Sequence, residues 1–142
     1  MTNKTVLVTG SSRGIGRAIA LRLGQDGYDL VLHCRNQRDQ LELLKSELEN
    51  MGGTVRLLQF DVSDRSVVEQ ILTDDITQHG AYYGVVCNAG IARDNPFPLL
   101  TGDDWDQVID TNLGGLYNVL QPLFMPMIQR RKPGRIVTIS SV

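Results

Sequence analysis

The stretch TVLVTGSSRGIGRAIA, residues 5–20, decides the fold. Its first part, Thr5–Thr9, is a short β-branched, apolar run ended by Gly10, which predicts a strand. From Gly14 to Gln25, Ile15, Ala18, Ile19 and Leu23 recur at helical spacing, and Gly27 supplies a stop. The turn between strand and helix carries glycines at 10, 14 and 16. Glycine accepts positive φ and lets a backbone approach a ligand without a Cβ in the way. The free N–H groups and dipole of a helix N-terminus attract phosphate. The spacing G-x-x-x-G-x-G differs from the G-x-G-x-x-G of many dinucleotide sites and lacks the G-K-[ST] ending of a P-loop, which disfavours an NTP hydrolase. Between a strand and an amphipathic helix, such a turn points to a dinucleotide.

Working outward, strand and helix patterns alternate. Leu30–Cys34 is a second strand, and Gln37–Met51 a helix with Leu41, Leu44, Leu48 and Met51 on one face, ended by Gly52-Gly53. Thr54–Phe60 is a third strand. Ser66–Glu69 has a capping-box pattern, and Val67, Val68, Ile71, Leu72 and Ile76 form the stripe of the helix after it. Gly84–Cys87 is a fourth strand, followed by a polar, Pro-containing loop to Thr101. A long helix from about Asp103 places Trp105, Ile109, Leu116 and Leu120 toward the core, and Pro122 and Pro126 should kink or restart it. Gly134–Ser141 is a fifth strand. Near-continuous apolar strands joined by helical crossovers predict an α/β fold: a doubly wound parallel sheet in one domain spanning 1–142.

Ligands of such sheets bind outside the carboxyl ends of the strands. After the second strand come Arg35-Asn36, where an acidic residue would favour the ribose hydroxyl of NAD. Arginine suits the doubly charged 2′-phosphate of NADP(H) instead, and Arg13 in the glycine turn is placed to help. After the third strand, Asp61-Val62 offers a carboxylate and an amide for adenine; an N-cap cluster with Ser63 and Asp64 fits the same letters. After the fourth come Asn88-Ala89-Gly90, small enough for close approach to a cofactor and equally a simple turn. In the long helix Asn112 falls on the core-facing line, followed by the weak helix formers Gly114 and Gly115, a pattern that predicts a local distortion. After the fifth come Ser140 and Ser141, which the pleat should send to opposite faces.

Composition limits the rest. The 142 residues are 42% hydrophobic and 21% charged, with net charge −2, which gives no reason to expect nucleic acid or an anionic membrane as partner. No apolar run approaches the roughly 18 residues of a membrane span. The start has no signal-peptide pattern. Cys34 and Cys87 read as buried free thiols of a reducing, cytoplasmic setting. His33 and His79 show no ligand spacing, and no metal is expected.

Jointly these tips resemble the short-chain dehydrogenase/reductase superfamily: T-G-x-x-x-G-I-G at Thr9–Gly16, Asp61-Val62, N-A-G at Asn88–Gly90, the helix Asn112, and I-S-S at Ile139–Ser141. Within it, SRGIGRAIA, NAGIARDN, DTNLGGLYNV and GRIVTISSV look most like the 3-oxoacyl-acyl-carrier-protein reductases. Cys87 departs from the family, where another Asn often precedes N-A-G. The resemblance implies a Rossmann sheet of order 3-2-1-4-5 and NADP(H) as cofactor. It places Gly10, Ser11, Ser12 and Arg13 on the phosphates, within a motif completed by Gly14, Ile15 and Gly16. It puts Arg35 and Asn36 at the 2′-phosphate, Asp61 and Val62 at adenine, and Asn88, Ala89 and Gly90 by the nicotinamide ribose. Ser141 matches the catalytic serine, and Asn112 would anchor a water of the proton relay.

The family's proton donor is a Tyr in Y-x-x-x-K. Here Tyr28, Tyr82, Tyr83 and Tyr117 are followed four positions on by Leu32, Val86, Cys87 and Gln121. The 142 residues are therefore expected to be a family fold cut after its fifth strand and inactive alone. The resemblance further implies a homotetramer and docking of an acidic acyl carrier protein on Arg130, Arg131 and Lys132. A reductase of another ketone and an NADP-binding module without turnover are the alternatives. A methyltransferase of related fold is disfavoured by Arg35, where an acidic residue is usual.

Overall fold

A computed structural model describes residues 4–141. Its elements run β1 (Thr5–Val8), α1 (Gly14–Gln25), β2 (Asp29–Cys34), α2 (Arg38–Asn50), β3 (Val55–Gln59), α3 (Arg65–His79), β4 (Gly84–Cys87), α4 (Gly102–Ile109), α5 (Gly115–Gln129) and β5 (Arg135–Thr138). The five strands form one parallel sheet of order β3-β2-β1-β4-β5. The chain winds outward from β1 to β3 and returns to β4 on the other side of β1, which creates a switch point at the carboxyl ends of β1 and β4.

Alternation along the strands builds two cores. Val6 and Val8 of β1, Leu30 and Leu32 of β2 and Val86 of β4 pack under α1 and α2 with Ala20, Leu41, Leu44 and Leu48. Leu7, Val31 and Val85 point the other way, against Val68 and Leu72 of α3 and Val119 and Leu123 of α5. A strand with apolar side chains on both faces needs a helix on each, which is why the runs read as continuous rather than alternating. The outer strand β5 is different: Ile136 and Val137 remain 40% and 47% exposed. Among the described residues, no helix is long and apolar enough to cross a membrane.

At the end of the sheet opposite the strand tips sits a buried ion pair. Arg56 of β3 donates Nε and Nη2 to the two carboxylate oxygens of Asp75 on α3, at 3.0 and 2.8 Å. The Tyr82 hydroxyl donates to Asp75 Oδ2 at 2.6 Å. Burial alone would raise the Asp75 carboxyl, but the hydrogen bonds from Arg56 and Tyr82 outweigh it and hold its pKa down.

Three local expectations are corrected. α3 is capped by Asp64, whose carboxylate accepts from the Val67 N–H, rather than by Ser66, and its inward line is Val68, Leu72 and Asp75, with Val67 39% exposed. α5 runs through Pro122 and Pro126 without a break. The interruption comes earlier, in a π turn over Asp110–Gly114 between α4 and α5. Trp105 and Ile109 are 55% and 37% exposed, so that line of α4 does not face the core. The buried positions of this region are Gly115, Asn118, Val119 and Leu123.

Candidate cofactor and active site

The carboxyl ends of β1, β2, β3 and β4 enclose a cavity of about 420 Å³, lined by the glycine turn, Arg35 and Asn36, Asp61 and Val62, and Asn88 to Ile91. A second cavity of about 790 Å³ adjoins it. The two share Ile15, Val62, Asn88, Ala89, Gly90 and Ile91 as walls, and the second reaches Asn112, Ser140 and Ser141. Every tip singled out in the sequence thus lines one or other of two adjoining cavities.

The glycine turn is held from below. Gly10 has φ +62° and gives its N–H to Nδ1 of His33 at 3.0 Å. Ser11 is fully buried: its N–H donates to the His33 carbonyl at 2.9 Å, and its Oγ accepts from the His33 N–H at 2.9 Å. Ser11 therefore faces away from the cleft, and its assignment to the phosphates is corrected, because both its polar groups are spent on β2. Gly16 is buried under Gly10: a Cβ there would lie 2.2 Å from the Gly10 carbonyl oxygen. Helix α1 begins at Gly14, and its first internal bond runs from Arg17 N–H to the Arg13 carbonyl at 3.3 Å. The amides of Arg13, Gly14, Ile15 and Gly16 precede that bond and have no intrahelical acceptor. Arg13, Gly14 and Ile15 line the cleft, and nothing lies within 4 Å of a Cβ built on Gly14. That open backbone at a helix N-terminus fits a pyrophosphate.

Asn88 locks the fourth tip to the first. Its Nδ2 donates to the carbonyls of Thr9 and Gly10 at 3.3 and 3.1 Å, and its N–H and that of Ala89 donate to Thr9 Oγ1 at 2.9 and 3.0 Å. Cys87 stands just before it. Burial pushes its thiol up to about 11, so the family departure adds no nucleophile at neutral pH. Cys34 is also a free thiol and is buried.

Arg35 lies across the mouth. Its Nε is 3.2 Å from Asp61 Oδ2, with the arginine side chain 54% exposed. The other Asp61 oxygen accepts from the Ser63 N–H and Oγ at 2.9 and 2.7 Å. Burial would raise the Asp61 carboxyl; the Ser63 bonds and the Arg35 charge override it and keep it ionised. Asp61 shapes the turn into α3 and also lines the cleft.

On the other wall, Asn112 is exposed rather than core-facing. Its Oδ1 accepts from the Ile91 N–H and its Nδ2 donates to the Ile91 carbonyl, both at 2.9 Å. The buried amide is Asn118, which accepts from Arg65 Nε at 3.0 Å and donates to the Val62 carbonyl at 2.9 Å. Strand β5 ends at Thr138, so Ser140 and Ser141 are not divided by a pleat, and both line the second cavity. No tyrosine lines either cavity. Among the positions that organise the cleft, Thr9 entered the sequence reading only as a motif letter, and His33 and Asn118 were given no site role. The only signal for the last two was a polar residue inside an apolar run, LVLHC and LYNVL.

A doubly wound parallel sheet with open helix amides at its switch point and an arginine at the second strand tip defines a Rossmann-type α/β fold. The chain belongs to the short chain dehydrogenase family, whose family model matches residues 4–142. It is 59% identical over 140 residues to the 3-oxoacyl-[acyl-carrier-protein] reductase FabG of Aggregatibacter actinomycetemcomitans, covering 99% of this chain and 58% of that protein. It is 36% identical over 140 residues to the protein of the same name from Staphylococcus epidermidis, and 35% identical over 142 residues to that of Chlamydia muridarum. The chain spans 57–58% of the length of these relatives.

Proposed function

We propose that the intact protein reduces 3-oxoacyl thioesters, carried on acyl carrier protein, to the 3-hydroxyacyl form with NADPH. The observation that carries this reading is the pair of adjoining cavities, one lined by Arg35 and the glycine turn, the other by Asn112 and Ser141, with Asn88 in the wall of both. The similarity to the three reductases supports the substrate class. The bound nicotinamide cofactor supplies the hydride. The amides of Ser12 to Ile15 hold its pyrophosphate. Arg35, with Arg13 and Asn36 beside it, receives the 2′-phosphate: its side chain lines the cleft half-exposed beside Asp61. Asp61 and Val62 border the adenine, and Asn88, Ala89 and Gly90 the ribose next to the nicotinamide.

Ser141 donates its hydroxyl to the substrate carbonyl and stabilises the charge that grows on that oxygen. The Asn112 amide is committed to the Ile91 peptide. A relay water is therefore held by the backbone of the π turn, where pairing shifts from i+4 to i+5, and the side chain braces the cleft wall. None of the four tyrosines lines either cavity, so none is placed to give the proton, and the Tyr82 hydroxyl is tied to Asp75. We infer that the residues carrying it lie outside the 142.

The bare apolar face formed by Ile109, Leu113, Tyr117, Phe124 and Met125 supports assembly into a homotetramer through α4 and α5. Sedimentation of the intact protein as a monomer would refute that. Arg130, Arg131 and Lys132 are the proposed dock for the carrier, although Arg130 is already drawn to the Tyr83 ring and the Pro133 carbonyl. A cytoplasmic setting is supported by the two free thiols and is tested by cell fractionation.

The test is turnover of the intact protein on a carrier-linked 3-oxoacyl substrate, a small thioester and a panel of ketones, with NADPH and NADH. Carrier-linked substrate with NADPH is expected to react best. Arg35→Ala should weaken NADPH by about 10- to 100-fold, the scale of a charge-assisted contact, and leave NADH nearly unchanged. Lys132→Glu should slow the carrier-linked substrate more than the small thioester. An unchanged cofactor preference would make Arg35 a surface residue only. Preferred turnover of another ketone would replace the substrate, and binding without turnover would replace the activity.

A further inference from the structure

We propose that His33 is the positioning residue of the phosphate-binding turn: its ring, held as the Nε2–H tautomer, fixes the inward turn of Gly10 and so leaves the following amides aimed into the cleft. The proposal deepens the cofactor reading above and rests on it.

His33 is 2% exposed, at the end of β2. Its Nε2 lies 2.8 Å from the Phe60 carbonyl oxygen, which can only accept, so Nε2 carries the proton. Its Nδ1 lies 3.0 Å from the Gly10 nitrogen, which can only donate, so Nδ1 is bare. The two partners together permit one tautomer of a neutral ring. The main chain of His33 adds its bonds to Ser11. Its ring packs on Phe60 at 4.2 Å between centroids. One residue thus joins the tips of β1, β2 and β3, and sets the spacing between the glycine turn and the adenine wall at Asp61.

The turn needs such an anchor. Gly10 has no side chain of its own to hold it, and the left-handed conformation it adopts is only one of many open to glycine. A phosphate site pays for ordering unless its donors are already fixed. An apolar residue at position 33 would take the ring partner from both the part-buried Gly10 N–H and the buried Phe60 carbonyl. A second ring proton would set N–H against N–H at Gly10. Burial opposes that and takes the ring down to about 4, against the opposite pulls of the Phe60 carbonyl and the Asp61 charge. The ring is therefore neutral at neutral pH.

The first measurement is the ring ¹⁵N spectrum of the intact protein at neutral pH, which should show Nε2 protonated and Nδ1 bare. A ring protonated at Nδ1 or at both nitrogens overturns the proposal, whether or not NADPH binds. The second is NADPH affinity. His33→Leu should raise the Kd about tenfold or more, while kcat at saturating NADPH stays within about twofold of the parent. His33→Asn, whose Oδ1 can still accept from Gly10, should recover most of the affinity. A leucine variant that binds NADPH like the parent, or an asparagine variant no better than leucine, overturns it. If His33→Leu does not fold, the spectrum and the asparagine variant decide. Failure of the parent to bind NADPH would remove the cofactor reading and leave the tautomer result standing.

Discussion

Replacing Gly16 with alanine is expected to weaken NADPH binding to the intact protein at least about tenfold and to cost about 1–3 kcal/mol of stability, the range for overpacking. The new Cβ would sit 2.2 Å from the Gly10 carbonyl oxygen and 2.6 Å from Asn88 Nδ2. The first of these is backbone and has nowhere to go, because Gly10 is pinned by His33 on one side and Asn88 on the other. Helix α1 must therefore move away from the turn, taking the amides of Gly14 and Ile15 out of register with the cleft. A fluorescence titration of NADPH together with a thermal melt reads both effects. Parent-like affinity would show that the close approach of α1 to the turn does not control the site.

Asp75→Asn is expected to cost about 3 kcal/mol in urea unfolding, the lower end of the range for breaking a buried pair, since Arg56 keeps partial access to solvent. The neutral amide leaves the Arg56 guanidinium without a counter-charge in a site whose aspartate side chain is only 6% exposed. The pH dependence follows in sign from the lowered Asp75 pKa. A depressed carboxyl contributes stability that is present above the unfolded value of about 4 and is lost as pH falls through the folded one. The parent should therefore lose stability toward acid more steeply than the variant, and the two curves should approach each other below about pH 4. A variant within about 1 kcal/mol of the parent at neutral pH would make this pair energetically idle. Because the cluster sits at the far end of the sheet, NADPH affinity of the folded variant should not change.

The fold was legible because its periodicity has one source. A doubly covered sheet forces continuous apolar strands, and a crossover helix forces one apolar stripe. The glycine turn was legible because left-handed backbone and a close helix approach both demand glycine. Misreadings arose where one pattern serves two geometries. Ser66 matched a capping box, yet Asp64 reaches the Val67 N–H and starts the helix earlier. Trp105 and Ile109 recur at helical spacing on a face that is bare, and periodicity marks an apolar face without saying what covers it. Ser11 sits among phosphate-binding letters, but a side chain one residue from a turn can point inward, and only coordinates tell which way. His33 and Asn118 were hidden for a related reason. A polar residue in an apolar run signals a partner, and the partners include carbonyls 27 and 56 residues away that no local pattern identifies.

The central claim is that the five strand tips hold one dinucleotide between Arg35 and Ser141. A crystal structure of the intact protein with NADP⁺ tests it most directly. The account predicts the 2′-phosphate on the Arg35 guanidinium, the pyrophosphate over the amides of Ser12 to Ile15, and the nicotinamide ring within reach of Ser141. A nucleotide bound elsewhere, or one lying in the cleft with its 2′-phosphate turned away from Arg35, would contradict it.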